Sequence, residues 1–231
     1  MKAFHGKQEI KDEYIKRLQD HYDADEIVKG VYWEDGKGCA VGCTLHSGDH
    51  KAYEVELGIP EVLAWLEDSI FEGLSPKDAK EFPLNFLNAV NVGSDLSQVG
   101  DKFLHWLLVD TEHGVIKYAS NKKVVQDVAD LYERKINGET INRDVWGAAR
   151  AAADADADAY VDADAYVYAA PAAAYVYASR TAAYAAARAS RTASRATAAY
   201  AAAAASSVAS RAAARLTQAE KLIELISCTI T

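Results

Sequence analysis

The feature that most limits what this chain can fold into is a change in side-chain supply near Trp146. From Gly147 to Arg215 there is no Leu, Ile, Phe or Met, and Gly147 is the last glycine. Residues 147–231 hold 36 Ala in 85 positions, with 8 basic and 7 acidic residues. Most of such a segment must build its interior from Ala methyls, a few Val and seven Tyr. Ala is the strongest helix former, so propensity alone predicts helix. Small side chains let helix axes approach closely, and contact then comes from backbone proximity rather than from large knobs. The alternating Asp-Ala run from Asp154 to Asp164 has strand period, but Asp and Ala are both poor strand residues, and helix is expected there too.

The first 146 residues have a different character. They carry all six His, all four Trp and twelve of the thirteen Gly, with 27 acids against 17 bases. Apolar residues at Ile10, Tyr14, Ile15 and Leu18 give a helical period over Gln8–Tyr22. Pro60 opens a second helix reaching Leu74, with Val62, Leu63, Leu66, Ile70 and Phe71 on one face. Ser75-Pro76 caps a third that runs toward Val90, with a break or kink expected at Pro83. Leu96–Val109 and Lys122–Ile136 keep the same period. No run shows sustained alternation bounded by hairpin turns, and Val115–Tyr118 is the one short stretch with strand character. The expectation is an all-α protein: a multi-helix head over 1–146, then closely packed Ala/Tyr-rich helices over 147–231, seated on the head or on a second subunit.

Repeats in the tail recur at intervals of six, nine, eleven and sixteen residues, where a solenoid would keep one period. A turn at Pro171 would set an acidic arm, 154–164, against a basic arm, 180–195, as an antiparallel hairpin with Asp162 opposite Arg180. The net charge of −9 argues against nonspecific binding of DNA or an anionic membrane. The first residues have no apolar stretch of signal-peptide length, and the longest uncharged tail runs are mostly Ala, so neither export nor a membrane span is indicated. With three cysteines, an odd count, the reading is a reducing cytoplasm.

The segment from Tyr32 to His50, YWEDGKGCAVGCTLHSGDH, is the least generic part. Cys39, Cys43, His46 and His50 are all zinc-ligand types, and their spacing places them on one face of a continuous helix. That stripe would span about 16 Å at 1.5 Å per residue, too long for one tetrahedral site unless Ser47-Gly48-Asp49 breaks the helix. Cys43 with His46 or His50 as base would suit a hydrolase, and a Cys39 at a helix start would have a lowered pKa. Gly36-Lys37-Gly38 ahead of a helix suits a phosphate, with Tyr32 and Trp33 to stack on a base. The plain alternative is a core seam of buried thiols and hydrogen-bonded imidazoles. The other histidines, His21 among them, form no spacing that marks a site. In the tail, Arg180, Arg188, Arg191 and Arg195 share a helical face flanked by Tyr184 and Tyr200, either as a phosphate site or as solvation of an Ala helix.

The stretch Val124–Ala159 and the motif YWEDGKGCAVGCTLHS resemble uncharacterised Ala-rich helical proteins of phages and bacteria, some of them labelled immunity proteins of toxin systems. The resemblance implies an accessory protein of a phage or mobile element and transfers no catalytic residue and no cofactor. Read together, the expectations are a non-enzymatic protein that sequesters a small nucleotide-like signal or a partner through Tyr32, Trp33, Lys37, Cys43, His46, His50 and the four tail arginines. The alternatives are an inhibitor that binds a host or toxin protein through its acidic head, and a Cys/His hydrolase or zinc protein. A homo-oligomer, by default a dimer, is expected of an Ala-rich helical surface.

Overall fold

A computed structural model describes residues 1–117, 119, 121–157 and 200–229. The fold is mainly helical. Helix α1 spans Gln8–Asp23, followed by the two-residue strands β1 (Trp33–Glu34) and β2 (Lys37–Gly38). Then come α2 (Ala40–Leu45), α3 (Ala52–Leu57), α4 (Glu61–Gly73), α5 (Pro76–Ala89) and α6 (Val99–Val109). Helices α7 (Lys122–Ile136), α8 (Arg143–Ala157) and α9 (Tyr200–Ser227) complete the described elements. Single 3₁₀ turns occupy Ala3–Gly6 and Val115–Lys117. The strand character expected from Val115 onward is therefore replaced by a 3₁₀ turn. Among the described residues no helix is long and apolar enough to cross a membrane.

The chain divides into two compact units, Met1–Gly100 with Ala209–Thr231, and Asp101–Val208. The compositional break at Trp146 is thus not the boundary that the contacts draw. The reason lies in the last residues: Leu216, Leu222, Ile223 and Ile226 restore large apolar side chains after the Ala tract. Ala219, Leu222 and Ile226 recur every three or four residues and are all buried. Burying a Leu or Ile fully contributes about 1.5–3 kcal/mol. The side chain of Arg215 lies over Gly73 at the end of α4, where a Cβ would meet it at 2.5 Å, and Asn91 donates to the Thr229 carbonyl.

Within the first unit α1 packs on α2 and α5, and α4 packs on α2, α3 and α5. Leu18, Leu57, Ile59, Leu63, Leu66, Ile70, Phe71, Phe86 and Leu87 are fully buried. Ser75 Oγ accepts from the Asp78 amide and caps α5, as its sequence predicts. Helix α5 runs on through Pro83 to Ala89 where a break or kink was expected. Pro83 and Phe82 are buried on the packed face, so tertiary packing offsets the lost backbone bond. The N-terminus is tied down by Ala3 N–H to Ser94 O and Gly93 N–H to Ala3 O, at 2.9 and 2.8 Å.

In the second unit α7 packs on α8, with Val128, Ala129, Leu131 and Tyr132 buried on one face of α7. The Tyr132 and Trp146 rings meet at 4.9 Å, and Lys135 pairs with Asp101 at 2.8 Å. Helix α8 carries the start of the Asp-Ala run as helix through Ala157, the outcome that propensity favoured. The hairpin expected at Pro171 and the repeats between 158 and 199 lie outside the described residues.

Candidate functional site

The site is built where the chain between α1 and α2 crosses the surface of α2. Asp35 and Gly36 have φ of 50° and 81°. Positive φ at both central residues is the type I′ geometry of a two-residue hairpin, and it pairs Trp33 with Gly38 and Glu34 with Lys37. Gly36-Lys37-Gly38 is therefore turn and strand, not a flexible approach to a helix N-terminus. The start of α2 is also occupied: Cys39 Sγ accepts from the Gly42 amide, and the Gly38 and Cys39 amides bond to Glu26 O and Val31 O. All six residues of α2 are buried, which removes the expected phosphate cradle. Lys37 is exposed on the hairpin.

Two glycines of the motif exist for close approach. A Cβ on Gly42 would sit 1.6 Å from Tyr32 O, and one on Gly38 would sit 2.2 Å from it. The Tyr32 backbone is thus held directly against α2. The Tyr32 ring is 54 % exposed above this close contact. Trp33 follows it, half-buried, with its ring against His21 and His46.

Each of these aromatics meets a histidine. Trp33 stacks on His46 at 4.5 Å between centroids and 14° between planes. His46 is exposed and ends α2 in the left-handed region, φ 54° and ψ 34°. A non-glycine residue there costs about 1–2 kcal/mol, which glycine would avoid. His46 Nε2 lies 2.8 Å from His21 Nε2, and His21 Nδ1 lies 2.7 Å from Glu26 Oε2. His21 is in the last turn of α1 and buried. Burial, the Arg17 guanidinium and His21 hold His46 below the usual imidazole range against the opposing pull of Glu26. Arg17 itself donates to Thr44 O at 2.9 Å.

On the other side the Tyr32 ring meets His50 edge-on at 5.7 Å. His50 is buried, stacked on Trp65 at 3.4 Å and 7°. Its Nε2 stops 3.5 Å from Asp68 Oδ2 with no hydrogen-bond partner. Asp68 is buried, and next to it Glu67 accepts from Tyr53 OH at 2.6 Å. Full burial raises the Glu67 carboxyl to about 8, so it is largely protonated at neutral pH.

The thiols do not join either histidine. Cys43 Sγ donates to Gly38 O and Glu26 O at 3.3 and 3.6 Å, and burial pushes the thiol up to about 12. Burial and Asp68 raise Cys39 too, the reverse of the lowering expected at a helix start. The expected break after His46 is present, yet it separates Cys39, Cys43, His46 and His50 instead of gathering them. Among the described residues no group of three or more His, Cys, Asp or Glu is placed to hold a metal ion. The thiols thus follow the core-seam reading, while the imidazoles part company. Arg180, Arg188, Arg191 and Arg195 lie outside the described residues.

Sequence reasoning missed His21 and Glu26. Their distance from the motif hid them, and only the return of the chain from α1 onto α2 brings His21 to His46. The pair of loop residues Asp35-Gly36 was the available signal for that return. Comparison of the chain with protein-family models, curated proteins and solved structures gives no match.

Proposed function

We propose that the protein is a non-enzymatic binding protein that captures a small nucleotide-like ligand on the ridge of Tyr32, Trp33 and His46. The observation that carries this reading is the exposed Tyr32 ring on a glycine-locked backbone. A fixed aromatic pays little entropy on stacking with a base and accepts any base face. His46 is exposed beside Trp33, and Lys37 is exposed on the hairpin that Trp33 opens. The buried thiol weighs against the Cys43 hydrolase alternative, because burial raises it to about 12 and leaves almost no thiolate at neutral pH. With the resemblance to phage proteins, this favours sequestration of a signal in the cytoplasm of an infected host. Tryptophan fluorescence titrated with a panel of mono-, di- and cyclic nucleotides tests it: at least one should quench saturably, and Tyr32→Ala should abolish the quench. No saturable response across the panel refutes it.

The 27 acids against 17 bases of residues 1–146 favour a second reading, an inhibitor of a basic protein partner. Such a complex would weaken with added salt, whereas stacking on Tyr32 would change little.

A further inference from the structure

The hydrogen bond between His21 and His46 has a proton count that its neighbours fix. The two Nε2 atoms lie 2.8 Å apart, so one donates and the other accepts. His21 Nδ1 lies 2.7 Å from Glu26 Oε2, and a neutral His21 keeps its proton on that side. His21 then accepts at Nε2, and His46 donates from its own Nε2. One ring nitrogen of the pair, His46 Nδ1, is left to take a further proton with the contact intact. A second added proton is different. All four ring nitrogens are then protonated, and two N–H groups with two positive charges face each other across 2.8 Å. The contact has no acceptor left and must break. His46 is the ring that can leave: His21 is buried in the last turn of α1 and held by Glu26, whereas His46 is exposed and runs into exposed Gly48 and Asp49.

We infer that the His21–His46 hydrogen bond is an acid-released latch: it holds with no added proton or with one, and the second proton drives His46 away from His21 and uncovers the Trp33 ring that both imidazoles contact. The surrounding charges suit this role. Burial, then Arg17 and His21 of α1, oppose a charge on His46, and Glu26 favours one. Arg17 is itself paired with Glu13 at 3.3 Å. From α2 only Cys43 approaches Glu26, and its thiol, pushed up to about 12, stays neutral. Lys80 of α5 pairs with Asp25 at 2.7 Å, and Lys37 of the hairpin, exposed like its neighbours Glu34 and Asp35, acts on Asp25 too. Tyr32 is not part of the latch, since its backbone rests against Gly38 and Gly42. The latch goes beyond the nucleotide reading and does not rest on it.

Nitrogen-15-labelled full-length protein, followed by NMR from about pH 8 to about pH 4, tests the latch. At the alkaline end a nitrogen–nitrogen coupling across the hydrogen bond should join the two Nε2 atoms, with protons on His21 Nδ1 and His46 Nε2. The pair should take its two added protons in separate steps, the second bound at least about tenfold more weakly than the first. In that second step the coupling and the Trp33–His46 ring contacts should vanish while the amide spectrum stays dispersed. Glu26→Gln removes the anion and keeps an acceptor for His21 Nδ1, so it should weaken both proton affinities about tenfold. Three results overturn the inference: no coupling at the alkaline end, a coupling lost only together with the amide dispersion, or ring contacts that outlast both proton steps. The titration of the parent protein decides the matter even if Glu26→Gln fails to fold.

Discussion

His46 and His50 are four residues apart and occupy opposite environments. His46 is open to solvent, stacked on Trp33 and joined to His21. His50 is sealed between Trp65 and Tyr32 above a buried carboxylate. The left-handed His46 ends α2, and the chain passes through exposed Gly48 and Asp49 before it buries His50. A histidine in a motif is thus no guide to its role until the backbone between it and its neighbour is known. The exposed cluster presents a ring edge to solvent. The buried one has its polar atoms facing one another and acts on stability.

The comparison can be broken at its base by Gly42→Ala. The added methyl would overlap Tyr32 O, and a backbone oxygen cannot rotate away, so both clusters should lose their geometry together. We expect a loss of about 4 kcal/mol or more in chemical denaturation. The same change at Gly147, where a Cβ meets nothing within 4 Å, should be neutral or stabilise α8 by about 0.5–1 kcal/mol. His50→Ala removes the ring between Trp65 and Asp68 and should cost about 2–4 kcal/mol with the His21–His46 pair intact. Glu67→Gln addresses pH. The folded Glu67 carboxyl titrates near 8, above its ordinary value, so the folded state holds its proton longer than the unfolded chain. The associated stability is full below the unfolded pKa and falls as pH rises through about 8. The Gln variant should flatten that fall, gaining on the order of 2 kcal/mol near pH 8 in melts across a pH series. The smallest effect belongs to His46→Asn, under about 1 kcal/mol on the same denaturation curve, because the ring is exposed and Asn accepts the backbone.

Periodicity located the long helices because their cores are local. Leu63, Leu66, Ile70 and Phe71 are buried as their spacing predicts, with Val62 half-buried, and Ser75 caps its own helix. Helix α7 spans Lys122–Ile136 as its pattern predicts. The candidate site was legible only in part. The motif drew attention to Tyr32, Trp33, His46 and His50, but their arrangement, the turn at Asp35-Gly36 and the partners His21 and Glu26 depend on long-range contact. The thiols misled for a related reason: Cys39 does start a helix, but burial raises its pKa where an exposed helix start would lower it.

The return of Ala209–Thr231 to the first unit makes that unit discontinuous in sequence. Leu222 and Ile226 are as fully buried as Phe4, so during synthesis the first unit closes its core only after Ile226 has left the ribosome. The second unit is thus an insertion in the chain of the first, and a substitution in its own core, such as at Leu131, need not disturb the packing around Tyr32 and His46.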